Sequence, residues 1–178
     1  MNARLQPSSL IERLLSGDAA ALARAISLVE NEASAAQDIL KAVQPNLGRA
    51  MLVGFTGSPG VGKSSLVNAY IRELRERGKT VGVVAVDPSS PLTQGAILGD
   101  RIRITDCAAD PDVFIRSLAA RGNVGGLSPA AARVADVMDA AGKDVVILET
   151  VGAGQSEVEV AEVAHVKIVV SAPGLGDG

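Results

Sequence analysis

The chain has 178 residues, a net charge of −3 and no basic block, which gives nucleic-acid binding no support. It is 47% hydrophobic but only 2% aromatic, so its core has to be built from Val, Ile, Leu and Ala, as in a parallel sheet covered by helices. The single cysteine, Cys107, excludes an intrachain disulfide, suits a reducing compartment and reads as a small buried hydrophobe.

Taken in chain order, residues 1–7 have no apolar run behind their charge and do not form a secretory signal. No later stretch approaches the roughly 20 apolar residues of a membrane helix. A soluble, cytoplasmic protein without membrane contact is expected. Residues 8–43 read as helical. Leu10, Ile11, Leu14 and Leu15 give one apolar stripe, and Ala21, Leu22, Ala25, Ile26 and Val29 give another. Ser16-Gly17-Asp18 breaks them, with Asp18 as an N-cap, and a third short helix covers 33–43. Pro45-Asn46-Leu47-Gly48 closes this region. Residues 1–48 are therefore expected to be a helical N-terminal extension packed on the domain that follows.

From residue 49 the pattern alternates between strand and helix. Strands are expected at 51–56, 80–86, 112–116, 145–148 and 166–170. Helices are expected at 63–77, 95–104, 130–141 and 156–163. The two prolines of Asp87-Pro88-Ser89-Ser90-Pro91 require a loop. The expected fold class is α/β: a mostly parallel sheet flanked by helices, occupying 49–178. A glycine-rich stop directly after a core-type strand leaves one flank of the sheet without cover. A fragment or truncated version of a longer protein is therefore expected, with this domain incomplete at its C-terminus.

The stretch Gly57-Ser58-Pro59-Gly60-Val61-Gly62-Lys63-Ser64-Ser65 fits the phosphate-binding pattern G-x-x-x-x-G-K-[ST]. An apolar strand precedes it and a helical pattern follows. That order is the one in which glycine N–H groups and a helix N-terminus make an anion nest. Lys63 is expected to reach the β- and γ-phosphates and the Ser64 hydroxyl to ligate Mg²⁺. The motif specifies a nucleoside triphosphate but not its base.

Ligands of such sheets gather at the carboxyl ends of the strands. Asp87 and Glu149 close two of them, and Asp100 lies between, so these three are candidate magnesium ligands, directly or through water. Glu149-Thr150-Val151-Gly152 resembles the switch sequence of GTPases, in which a glycine N–H bonds the γ-phosphate and senses hydrolysis. The candidate catalytic group is Lys63, Glu149 and Gly152. Gln155 or Glu157 is placed to orient water, and spacing alone does not choose between them. Arg101, Arg103, Arg116 and Arg121 are candidate phosphate partners, and His165, ahead of a strand, reads as structural.

These motifs, with Val86-Asp87-Pro88-Ser89-Ser90, Gly95-Ala96-Ile97-Leu98-Gly99-Asp100-Arg101, Phe114-Ile115-Arg116 and Glu149-Thr150-Val151-Gly152-Ala153-Gly154-Gln155-Ser156-Glu157, follow one another as in the MeaB/ArgK/MMAA-type GTPases. The chain resembles that family over nearly its whole length. The resemblance implies a P-loop domain that binds GTP and GDP with Mg²⁺. It implies a role in loading adenosylcobalamin into methylmalonyl-CoA mutase and protecting that enzyme, with a homodimer as the usual assembly. It places Ser64, Asp87, Asp100 and Glu149 at the magnesium site and Arg103 on the nucleotide. The family's guanine-reading Asn-Lys-x-Asp motif does not occur in the 178 residues. An alternative is an ATPase or kinase of amino-acid (lysine/arginine/ornithine) transport, although no Leu-Ser-Gly-Gly-Gln signature is present. A third reading is a chain that binds phosphate without turning it over.

Overall fold

A computed structural model describes residues 7–87, 107, 109–119, 129–150 and 162–173. The N-terminal stripes form three helices: α1 (Pro7–Leu15), α2 (Ala19–Glu30) and α3 (Ala36–Val43). Leu10 and Leu14 of α1 are buried, as are all five expected residues of α2. Burying a side chain such as Leu22 or Ile26 contributes about 1.5–3 kcal/mol. Asp18 caps α2 by accepting from the Ala21 N–H at 2.7 Å, and Arg13 holds its carboxylate at 3.0 Å. The third helix starts later than expected. The chain first turns through Glu32 at φ +49°, whose N–H bonds the Val29 carbonyl, so residues 31–35 serve the reversal between helices.

A 3-10 turn at Gln44–Asn46 leads into the sheet. The elements then run β1 (Met51–Thr56), α4 (Lys63–Glu76), β2 (Val81–Asp87), β3 (Val113–Ala119), α5 (Pro129–Ala140), β4 (Val145–Thr150) and β5 (Val166–Val169). The five strands lie in the order β3-β2-β4-β1-β5, and every pairing is parallel. Two strands exceed their expected length because a partner extends them. β3 pairs with β2 through Asp87↔Ala119, and β4 pairs with β2 through Val86↔Thr150. Glu149 and Thr150 therefore lie inside β4. The expected helix at 95–104 lies outside the described residues, as does most of 156–163, of which Glu162 and Val163 are helical.

The pleat sends alternate side chains to two cores. Val53, Phe55, Val81, Val83, Val145 and Ile147 meet Val67, Ile71 and Leu74 of α4, and Cys107 is buried with them. Leu52, Val84, Val86, Val146 and Leu148 face α5 and the N-terminal helices, which share that core. α5 lies close on β2: a Cβ on Gly82 would come within 2.7 Å of the Met138 sulfur.

Polar ties fix the chain where it enters the sheet. The buried Asp139 carboxylate, on α5, accepts from the N–H groups of Gly48 (2.6 Å), Arg49 (3.2 Å) and Ala50 (2.8 Å). His165 bonds β1 twice: its N–H donates to the Leu52 carbonyl at 2.9 Å, and its Nδ1 accepts from the Leu52 N–H at 3.0 Å. The two bonds tie the start of β5 to β1. Among the described residues, no helix is long and apolar enough to cross a membrane.

Candidate functional site

β1 stands between β4 and β5, so the loop leaving its carboxyl end opens beside the end of β4. Gly57 begins that loop under two constraints. Its φ is +135°, and a Cβ there would sit 2.0 Å from the Val170 carbonyl oxygen, because the Val170 N–H is bonded to the Thr56 carbonyl at 2.8 Å. Only glycine satisfies both. Ser58 and Val61 are half-buried, whereas Pro59 and Gly60 at the crest are exposed.

Gly62 is the N-cap of α4 in the left-handed conformation, φ +95°, and supplies no side-chain cap. The space where its Cβ would lie is open to 4 Å. The positive end of a fourteen-residue helix thus faces the concave side of the loop.

Lys63 follows, only 6% exposed. Its ammonium donates to the carbonyls of Gly57 at 2.5 Å and Ser58 at 2.9 Å. The lysine therefore spans the loop it belongs to and holds a buried positive charge at its floor. The Ser64 hydroxyl donates to Oε1 of Glu149 at 2.7 Å. Glu149 is 2% exposed and comes from β4, on the same sheet face as α4. Ser65 is exposed on the first turn of α4.

These groups suit a magnesium-bound polyphosphate. Backbone donors and Lys63 offer positive charge to the phosphate oxygens. The Ser64–Glu149 pair offers two oxygens of the hard, anionic type that magnesium takes while retaining waters. Among the described residues no group of three His, Cys, Asp or Glu side chains converges.

Of the other expected site residues, Asp87 is the last residue of β2, and its side chain lies outside the described atoms. Asp100, Arg103 and Gly152 fall outside the described residues, as do Arg101 and Arg121. Arg116 is a correction. It sits on β3 and binds the Glu30 carboxylate and the Ser27 hydroxyl of α2, so its charge serves the contact between sheet and helix and not a phosphate.

Two strand-end residues beside the loop were given no role from the sequence. Thr56 and Thr150 end β1 and β4. They are 5% and 1% exposed, and neither hydroxyl has a hydrogen-bond partner among the described residues.

The family model described as methylmalonyl-CoA mutase-associated GTPase MeaB matches residues 22–178. The chain belongs to this family. A putative GTPase of Pyrococcus horikoshii is 52% identical over 174 residues, covering 97% of this chain and 55% of that protein. GTPase ArgK of Escherichia coli is 44% identical over 171 residues, covering 94% of this chain and 52% of ArgK. The mitochondrial methylmalonic aciduria type A homolog of Caenorhabditis elegans is 38% identical over 183 residues, covering 94% and 46%. A crystal structure described as LAO/AO transport system kinase superposes with a TM-score of 0.72 at 34% identity, covering 96% of this chain and 51% of that one. The chain thus spans about half the length of the curated relatives it matches. The MeaB-family fold is a P-loop α/β sheet, and the parallel order and the strand–loop–helix unit here agree with it.

Proposed function

We propose that this chain binds Mg·GTP and hydrolyses it to GDP. The observation that carries this reading is the Ser64–Glu149 hydrogen bond of 2.7 Å beside the buried Lys63 ammonium. It brings the hydroxyl of the phosphate-loop helix and a strand-end carboxylate to one point. Family membership supplies the guanine assignment, because the described site reads phosphate and not base.

In this reading residues Gly57 to Ser65 wrap the phosphates, and Lys63 neutralises the β–γ bridge. Ser64 and Glu149 hold the metal, joined by Asp87 and Asp100, while Arg103 contacts the nucleotide. When bound, magnesium draws charge from the β- and γ-phosphate oxygens. Gly152 senses the γ-phosphate. Catalysis then rests on positioning and charge, with no covalent intermediate on the protein. Residues 1–48 act as a helical extension of the nucleotide domain at 49–178. The cycle serves a cobalamin-dependent acyl-CoA mutase, with GTP hydrolysis gating cofactor loading, and the working assembly is a homodimer. The names of the family and of the C. elegans relative support the mutase link.

The test is phosphate release from GTP and from ATP, each with and without Mg²⁺. Magnesium-dependent release from GTP well above that from ATP is expected. A second reading, an ATP-dependent kinase of amino-acid transport, is favoured by the description of the superposed structure. Preferential use of ATP in the same assay would replace the first reading with the second.

A further inference from the structure

At the amino ends of the strands, away from the phosphate loop, the molecule has a cavity of about 550 Å³. The turn after α1, the loop that leads into β3 and the turn between α5 and β4 border it. Leu15, Leu22 and Phe114 give it an apolar wall, and Thr80, Asp112 and Lys143 bring polar groups to it. Leu15 is 38% exposed, so this wall reaches solvent.

Lys143 differs from the other lysines. Lys41, Lys79 and Lys167 are exposed, and Lys63 belongs to the phosphate loop. Lys143 is partly buried, and its ammonium donates to the Asp112 carbonyl at 3.1 Å. Both partners of that bond line the cavity. Among the described residues this carbonyl is its one acceptor, and no carboxylate closes an ion pair with it. Arg75 of α4 engages Asp110 and Asp112, and Lys79 engages Asp144. A neutral carbonyl compensates poorly for the hydration an ammonium loses on burial. Burial accordingly moves Lys143 below the ordinary 10.5, aided by the Arg75 charge and opposed by Asp112, Asp110 and Asp144. The free amine retains two N–H groups. One can keep the bond to Asp112 while the lone pair meets an electrophile.

We propose that Lys143 is an acylation site that takes short acyl groups from neutral thioesters entering the cavity. The apolar wall suits the acyl chain, and the Asp110 and Asp112 carboxylates disfavour an anionic donor. The amine nitrogen attacks the thioester carbonyl carbon, so that a C–N bond forms and the C–S bond breaks. The electron pair leaves with sulfur as a thiolate, and the surplus proton on nitrogen passes to that thiolate or to water. The product amide is neutral, so the modification removes a positive charge facing Asp110, Asp112 and Asp144. The site lies at the Arg75 end of α4, whose other end starts at the phosphate loop.

The test is incubation of the chain with S-acetyl-N-acetylcysteamine, a small neutral thioester, over a series of pH values. Peptide mass spectrometry follows acetylation of each lysine with time. Lys143 should be acetylated several-fold faster than Lys41, Lys79 or Lys167, and its rate should level off at a lower pH than theirs. The lead should vanish when the chain is unfolded in urea. It should also shrink in Leu15→Trp, whose larger side chain narrows the cavity. Lys143 reacting no faster than Lys41 in the folded chain would overturn the proposal. So would a lead that persists in urea, which would owe nothing to the fold, or one that Leu15→Trp leaves unchanged, which would owe nothing to the cavity.

Discussion

At Gly57 the loop conformation and a neighbouring strand impose the same residue. An alanine there would need φ +135° and would drive its methyl group to 2.0 Å from the Val170 oxygen. Gly57→Ala is expected to destabilise the fold by about 3 kcal/mol, seen as a lower urea midpoint with or without nucleotide. Glu149 is a different kind of residue, since its partner is the Ser64 hydroxyl, which the proposed metal site also uses. Glu149→Ala should lower the turnover of GTP about a hundredfold, with a smaller effect on the nucleotide-induced melting shift. A wild-type turnover rate would remove Glu149 from the mechanism. The strand–loop–helix unit was legible in the sequence because its glycine and lysine spacing occupies one short stretch. Arg116 was not. Four arginines looked alike there, and the one whose role the structure describes was decided by Glu30, 86 positions away. Thr56 and Thr150 were illegible for a similar reason: the register of two strands brings them together, and no local pattern announces it.

Elements were easier to read than single contacts, because burial acts on many side chains at once. The α2 stripe became the α2 contact with the shared core residue for residue, whereas β3 and β4 outran their apolar runs because a paired strand extends its neighbour. The joints between elements depend on single acids. Asp139 gathers three N–H groups ahead of β1, and Asp139→Ala would leave them to compete for water. A loss of about 2 kcal/mol in denaturant unfolding is expected, with the sheet otherwise unchanged.

Asp144 plays a similar part at the start of β4. The Thr80 N–H first, then the Thr80 hydroxyl and Lys79, hold its carboxyl below the ordinary 3.8. The Arg75 guanidinium does the same for Asp110, and the Ala21 N–H with Arg13 for Asp18. In each case the folded chain releases its proton more readily than the unfolded chain. The stability these acids contribute is therefore complete above 3.8 and is lost as pH falls through the lower folded values. Asp136 has the opposite sign. Burial and the nearby Asp139 charge raise its value, so the folded chain holds that proton and its contribution declines as pH rises above 3.8. Among the described residues three depressed acids stand against one raised acid, which predicts a thermal midpoint that falls as pH is lowered below about 4. Asp144→Asn should flatten that fall, and an unchanged slope would mean that Asp144 is not part of it.

Across the whole molecule the sheet separates two tasks. One face carries α4 and the Ser64–Glu149 contact, and the other carries α5 and the three N-terminal helices in a common core. The partly buried Arg116–Glu30 pair ties β3 to α2 on that second face. β5 forms one edge of the sheet, with Val166 44% and Val169 70% exposed. The α/β class, the parallel strands and the phosphate loop were all legible in the sequence, since periodicity and glycine spacing encode them directly. The two-face division of labour was legible only once the strand order was known. The order β3-β2-β4-β1-β5 is what sets Glu149 against Ser64 and Thr150 beside Thr56.

The central claim is that Lys63, Ser64 and Glu149 form a triphosphate site. Its most direct test is a thermal-shift titration of the chain and of Lys63→Ala with Mg·GTP, Mg·GDP and Mg·ATP. A ligand at a hundred times its Kd adds about 2.7 kcal/mol, enough to raise the melting point by several degrees. A rise with the guanine nucleotides that exceeds the rise with Mg·ATP, and that disappears in Lys63→Ala, is the predicted result. An undiminished rise in Lys63→Ala, or no rise in the wild-type chain, would contradict the claim.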